Sequence, residues 1–231
     1  MSKEKKILFV LLFVGIDILL IYGFVRVHNT TMLNYLKREV SILESKKISK
    51  DSYSYKIVTM GGYAKVEEAI KKYLYDYSNL LKDTMEIVKD SSIKKVLSYD
   101  NYQKDGPDFS KSVSMLKEKK DKFNKNVNQL IQSSSKNNIQ NNIRNKIYQS
   151  YYQKLYDELF VNDSFVKSFD DTSKLLESIK VRMNTIFDTS LEVLNFLSLE
   201  KENWEVEDGE IKFQTQALYD QYISYINRLK N

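Results

Sequence analysis

The sequence predicts an all-α protein: an N-terminal transmembrane helix followed by an antiparallel helical bundle with one small C-terminal β-hairpin. Three observations carry this. A nineteen-residue apolar run occupies positions 7–25 of the 231-residue chain. One proline and six glycines leave few helix breakers elsewhere, and apolar residues recur every three or four positions over long stretches. Asp208-Gly209, late in the chain, is a two-residue hairpin signal, because a type I′ turn needs positive φ at both positions.

At 1.5 Å per residue the apolar run covers about 30 Å, the thickness of a hydrocarbon core. Fifteen of its residues are Leu, Ile, Phe or Val, worth together about −4.5 to −9 kcal/mol of insertion free energy. Asp17 in the middle costs about 2.5–3.5 kcal/mol, so insertion stays favourable. The run is longer than the h-region of a signal peptide, and no small-x-small cleavage site follows it. An uncleaved signal-anchor is therefore expected. Lys3, Lys5 and Lys6 before the run outnumber Arg26 just after it. That bias places the N-terminus in the cytoplasm and the rest of the chain outside.

Asp17 has two readings. A protonated carboxyl could ride in a helix that inserts anyway, since desolvation raises a carboxyl pKa. Alternatively it bonds to another transmembrane helix, in a partner or a second copy of the chain, as intramembrane ionisable residues commonly do. The second reading makes Asp17 the membrane-partner contact. The division expected is a basic tail at 1–6, an anchor at 7–27, a membrane-proximal helix and linker at 28–62, and an extracytoplasmic bundle at 63–231 with a hairpin near 204–213.

Along the bundle, the Val66, Ile70, Tyr73, Tyr77, Leu80 spacing predicts a helix over 63–89. The stretch 98–109, with Asp105-Gly106-Pro107, reads as a loop, and Pro107 suits the first turn of the helix after it. That helix, near 108–136, carries a seven-residue rhythm from Phe109 through Leu116, Phe123 and Leu130, interrupted by Lys120. A buried Lys120 would need a carboxylate or lose its proton, whereas at a bundle edge it would snorkel. Further helices are expected at 140–160, 171–197 and 216–229, with Asp163 or Ser164 capping the second of these. In the hairpin, Trp204 should pair with Phe213 and Val206 with Ile211, all four on one face. Beyond position 63 no second domain boundary is visible.

Several function classes lose support on composition. Without cysteine there is no disulfide and no thiol chemistry. A single histidine, His28, rules out the paired-histidine zinc and di-iron motifs. Outside the membrane flanks the charges number 32 basic and 29 acidic, too balanced for a nucleic-acid footprint. Adjacent carboxylates such as Glu67 and Glu68 read as solvated. No catalytic, cofactor-binding or metal residue is assigned. Heavy use of Lys, Asn, Ile and Tyr, which have AT-rich codons, suggests a low-GC Gram-positive source. Tyrosine, with seventeen copies, suits core edges and protein interfaces. Tyr75 falls off its apolar stripe, and Tyr99 and Tyr102 lie in the predicted loop. With Trp204 they form the candidate partner surface.

The expected function is a non-catalytic envelope protein: an interaction, scaffold or accessory subunit of a membrane complex. The chain closes at Asn231 without a second span, which argues against an autonomous receptor. Its partners are then the membrane and a protein met through the transmembrane helix or the bundle surface, a second copy being one candidate, with no nucleic acid. Two alternatives stand. One is a ligand or cell-wall-component binding module with a cleft between bundle and hairpin; the other is a carboxylate-dependent hydrolase.

Overall fold

The computed structural model describes residues 3–45, 56–144 and 146–229, and in the first of these the side chains of residues 20–43. The chain is mostly helical with one small antiparallel hairpin. It divides into two compact units interleaved in sequence: Met1–Asp76 with Ile139–Phe165, and Tyr77–Asn138 with Val166–Asn231. All three boundaries fall inside helices rather than at Gly- or Ser-rich linkers, which is why composition gives no hint of them.

The first unit begins with α1 (Lys3–Ser45), a single helix of 43 residues. The expected membrane-proximal helix is thus continuous with the apolar run. Among the described residues no helix is long and apolar enough to cross a membrane. The side chains of positions 7–19, which form most of the predicted span and include Asp17, lie outside the described residues. Farther along, Met32, Leu36, Val40 and Leu43 are buried. Their 4-4-3 spacing is one helical stripe.

The N-terminal half of α2 (Gly61–Lys89) belongs to this unit and buries Val66, Ala69, Ile70 and Leu74. Gly62 at its start accommodates a neighbour: a Cβ there would fall 2.1 Å from the Tyr152 ring. The helix expected over 140–160 is two helices, α6 (Lys136–Arg144) and α7 (Ser150–Phe160). Asn-rich sequence weakens the join, because Asn side chains compete for backbone hydrogen bonds. The Gln153 amide donates to the Ile147 carbonyl (2.6 Å) and so takes over an acceptor that a continuous helix would use. Ile147 and Leu155 are buried as predicted, but Tyr151 is half exposed.

In the second unit, α3 (Ser91–Lys95) and α4 (Tyr99–Asp105) follow α2. The predicted loop therefore contains two helical turns. Ser98 caps α4 by accepting from the Asn101 N–H (3.3 Å), and Tyr102 is driven into the core at 2% exposure; tertiary burial overrides the turn-forming Asp and Asn residues. Pro107 lies in the turn after α4, not in the first turn of α5 (Ser110–Ser133). The cap of α5 comes from a distance: the Asp105 carboxylate accepts from the Ser112 N–H at 2.7 Å.

The long α8 (Asp163–Leu199) starts eight residues before its predicted position. Asn162, rather than Asp163 or Ser164, caps it by accepting from the Phe165 N–H (3.0 Å). α5 and α8 run antiparallel, as their cross-contacts make plain. Lys120 pairs with Asp188, Asn124 with Asn184, and Lys180 with Asn128. One partner climbs a turn as the other descends one. Phe123 meets Phe187 inside this polar ladder, centroids 6.2 Å apart. Lys120 thus reaches the seam edge and finds a carboxylate.

The hairpin β1 (Trp204–Glu207) and β2 (Glu210–Phe213) has the predicted register, Trp204 opposite Phe213 and Val206 opposite Ile211. Asp208 and Gly209 take φ of 53° and 76°, the left-handed pair of a type I′ turn. α9 (Gln216–Arg228) closes the unit, capped by Thr215, and buries Tyr222.

The Asn124–Asn184 pair is reciprocal, each amide donating to the other at 2.9 and 3.0 Å. Asn124→Leu strands the Asn184 amide and should lower stability by about 1–3 kcal/mol. The Asn124→Leu/Asn184→Leu double variant should recover most of that loss. Urea unfolding followed by circular dichroism reads both.

Candidate functional site

Two assemblies of buried polar and aromatic groups stand out, one in each unit. In the first unit, Glu67 and Lys71 on α2 are 1% and 2% exposed. They are four residues apart, so they face the same side of the helix. The Glu67 carboxylate accepts from the Lys71 ammonium (2.6 Å), the Thr59 hydroxyl (2.7 Å), and the backbone N–H groups of Thr59 (2.9 Å) and Val58 (3.1 Å). Lys71 spends its other two protons on Glu39 of α1 (2.8 Å) and the Lys56 carbonyl (2.7 Å).

This network is chemically closed. Burial alone would raise the Glu67 carboxyl, but hydrogen bonds from Lys71, Thr59 and Val58 outweigh it and hold the group below the ordinary carboxylate range. Burial would likewise lower Lys71, yet its bonds to Glu39 and Glu67 keep it raised and charged. A lysine with all three protons committed is neither a base nor a nucleophile. The network clamps residues 56–59 and α1 onto α2. Glu67 is therefore buried, not solvated as the sequence suggested. Glu67 and Lys71 each stand one residue past Val66 and Ile70, about 100° around the helix, so the apolar stripe alone does not mark them as buried.

In the second unit an aromatic cluster seats the hairpin. Trp204 stacks on Phe109 (centroids 6.0 Å, planes 18° apart) and meets Tyr102 edge-on at 6.1 Å, while its indole N–H donates to the Leu197 carbonyl (2.6 Å). Phe109, fully buried, holds φ at 52°, a left-handed value that an aromatic residue keeps only when its surroundings demand it. The Tyr102 and Tyr222 hydroxyls bond at 3.2 Å, and burial pushes both phenols up. Phe213 packs on Tyr222 at 5.3 Å. The seat is thus filled by side chains. The opening beside the hairpin, lined by Trp204, Lys212 and Phe213 among others, holds only about 170 Å³.

The candidate partner residues separate accordingly. Tyr75 and Tyr99 are exposed, Tyr75 in the first unit and Tyr99 in the second. Tyr102 is corrected from surface to core, and Trp204 is half-buried with its indole engaged by its own unit. Asp17 lies outside the described side chains. His28 is exposed on α1, its ring 6.3 Å from that of Phe24. Among the described residues no group of three or more His, Cys, Asp or Glu side chains is placed to hold a metal ion. The sequence reading missed the surface around Tyr148, which is 93% exposed, because it carried one helix through the break between α6 and α7.

No family model matches the chain, and neither a curated protein nor a solved structure matches it.

Removing either Glu67 or Lys71 alone leaves a buried charge short of its partner, and Glu67→Leu or Lys71→Leu should each cost about 3–5 kcal/mol. The double variant should cost well under the sum in a thermal-unfolding cycle. Because the folded Glu67 pKa lies below its unfolded value, its stabilisation is complete above the unfolded pKa. It is lost as pH falls through the lower folded one. The acid limb of a stability–pH curve should therefore flatten in the double variant.

Proposed function

We propose that the protein is a single-pass, membrane-anchored helical protein of a bacterial envelope, acting as a non-catalytic interaction, scaffold or accessory subunit. The observation that carries this is on α1. Leu20, Ile21, Tyr22, Phe24, Val25 and Val27 are all exposed, most by more than 60%. Successive residues step about 100° around a helix, so these side chains span roughly 220° of its circumference, with Gly23 and Arg26 facing the rest. An exposed apolar face that wide suits lipid rather than one narrow packed stripe. The basic N-terminal flank supports a cytoplasmic N-terminus, with the folded units outside.

The buried groups support a non-catalytic role. Lys71 and Glu67 are consumed by their clamp, and Tyr102 and Tyr222 by each other. The filled hairpin seat favours a binding surface over the alternative of a ligand cleft at that place. Asp17 is the residue proposed to meet a partner within the bilayer, and Tyr75 and Tyr99 remain as exposed contact candidates.

Expressed in cells, the full chain should resist alkaline extraction and need detergent for release, and a variant lacking residues 1–27 should not. Release of the full chain without detergent would overturn the anchor. Asp17→Leu should keep the chain in the membrane and lose a co-purifying membrane protein or the native oligomeric state. If both persist unchanged, Asp17 is merely tolerated.

A further inference from the structure

Residues 122–156 contain no Asp or Glu and six Lys or Arg, in a chain where acids number 31 of 231. The part of this run in the first unit carries Arg144, Lys146 and Lys154, all exposed. Among the described residues none of the three forms an ion pair. Arg144 and Lys146 donate instead to the Asn141 and Asn142 amide oxygens. Between them stand Tyr148, almost wholly exposed, and Tyr151, half exposed. Tyr151 is braced from behind by Tyr152, 5.1 Å away, and by a hydroxyl contact with the buried Tyr63 at 3.3 Å. The next acids are Asp157 and Glu158 on the following turn of α7.

Tyrosine beside lysine and arginine is the chemistry of a membrane–water interface. The ring lies at headgroup depth, the hydroxyl stays wet, and the cations meet lipid phosphates. Location agrees with this. α7 contacts α1 within the first unit, and the buried stretch of α1, from Met32 to Leu43, begins about 8 Å and ends about 24 Å beyond Val27.

We propose that Arg144, Lys146, Tyr148, Tyr151 and Lys154 form a second membrane contact, against the anionic headgroups of the bilayer that α1 crosses. This rests on the anchored reading above, and it adds that the first unit lies on the lipid surface instead of standing clear of it.

The chain has no cysteine, so Tyr148→Cys and Leu20→Cys each provide a unique thiol for a nitroxide label. The labelled full-length chain is reconstituted into vesicles of phosphatidylcholine, alone or mixed with phosphatidylglycerol. Collisions with a water-soluble nickel relaxant are then measured. The label at position 20 should be shielded in both. The label at position 148 should be several-fold less accessible in the phosphatidylglycerol vesicles, and added salt should restore its access. Reversing charge with Arg144→Glu, Lys146→Glu and Lys154→Glu should abolish the lipid dependence at 148 and leave position 20 shielded. Equal access at 148 in both vesicles, with position 20 shielded, overturns the inference and leaves the anchor standing. Free access at both positions overturns the anchor and the inference together. A response at 148 to duplex DNA in detergent, without one to phosphatidylglycerol, would make the patch a nucleic-acid surface and overturn the lipid contact.

Discussion

The antiparallel register of α5 against α8 governs the second unit. Phe123 and Phe187 could slide past one another by a turn with little change in buried area, since apolar contact is not directional. The polar pairs around them cannot. Lys120 with Asp188, Asn124 with Asn184 and Asn128 with Lys180 match at one register only. Once that register is set, the C-terminal end of α8 lies where Leu197 can accept from Trp204, and the start of α5 presents Phe109 for the same indole to stack on. The hairpin and α9 then build on that seat through Phe213 and Tyr222.

The first unit uses a different device for the same end. Its clamp ties a coil segment, α1 and α2 together through one lysine and two carboxylates. A buried ion pair is weak evidence of added stability, because desolvation offsets most of its attraction. Its effect is geometric: three protons on one ammonium select three acceptors from separate parts of the chain. In a protein without disulfides such a point specifies where an otherwise featureless segment enters its helix.

The sequence makes the long periodic helices legible, and the hairpin with its register, because both follow from local rules. The Asp208-Gly209 turn sets the pairing of Trp204 with Phe213, and the apolar stripes mark α2, α5 and α8 to within a turn or so at most ends. What escapes is set by tertiary context. Tyr102 looks like a loop residue until the burial of its ring makes two turns of helix worthwhile. Lys120 reads as an interruption of a seam, yet it and its neighbour Asn124 have partners 68 and 60 residues away. Of the candidate partner residues, Tyr75 and Tyr99 are exposed and Tyr102 is not. The exposed face around Tyr148 was hidden by the break between α6 and α7, which periodicity carried straight through.

One consequence follows from α1 being unbroken over its 43 residues. A helix without a hinge conserves angular phase: whatever fixes the azimuth of its N-terminal half also fixes the direction in which Met32, Leu36 and Val40 point. Twist or tilt imposed at one end arrives at the other as rotation of the unit built on that stripe. A single residue inserted near Thr30 would turn the two halves by about 100° relative to each other, without altering the fold on either side.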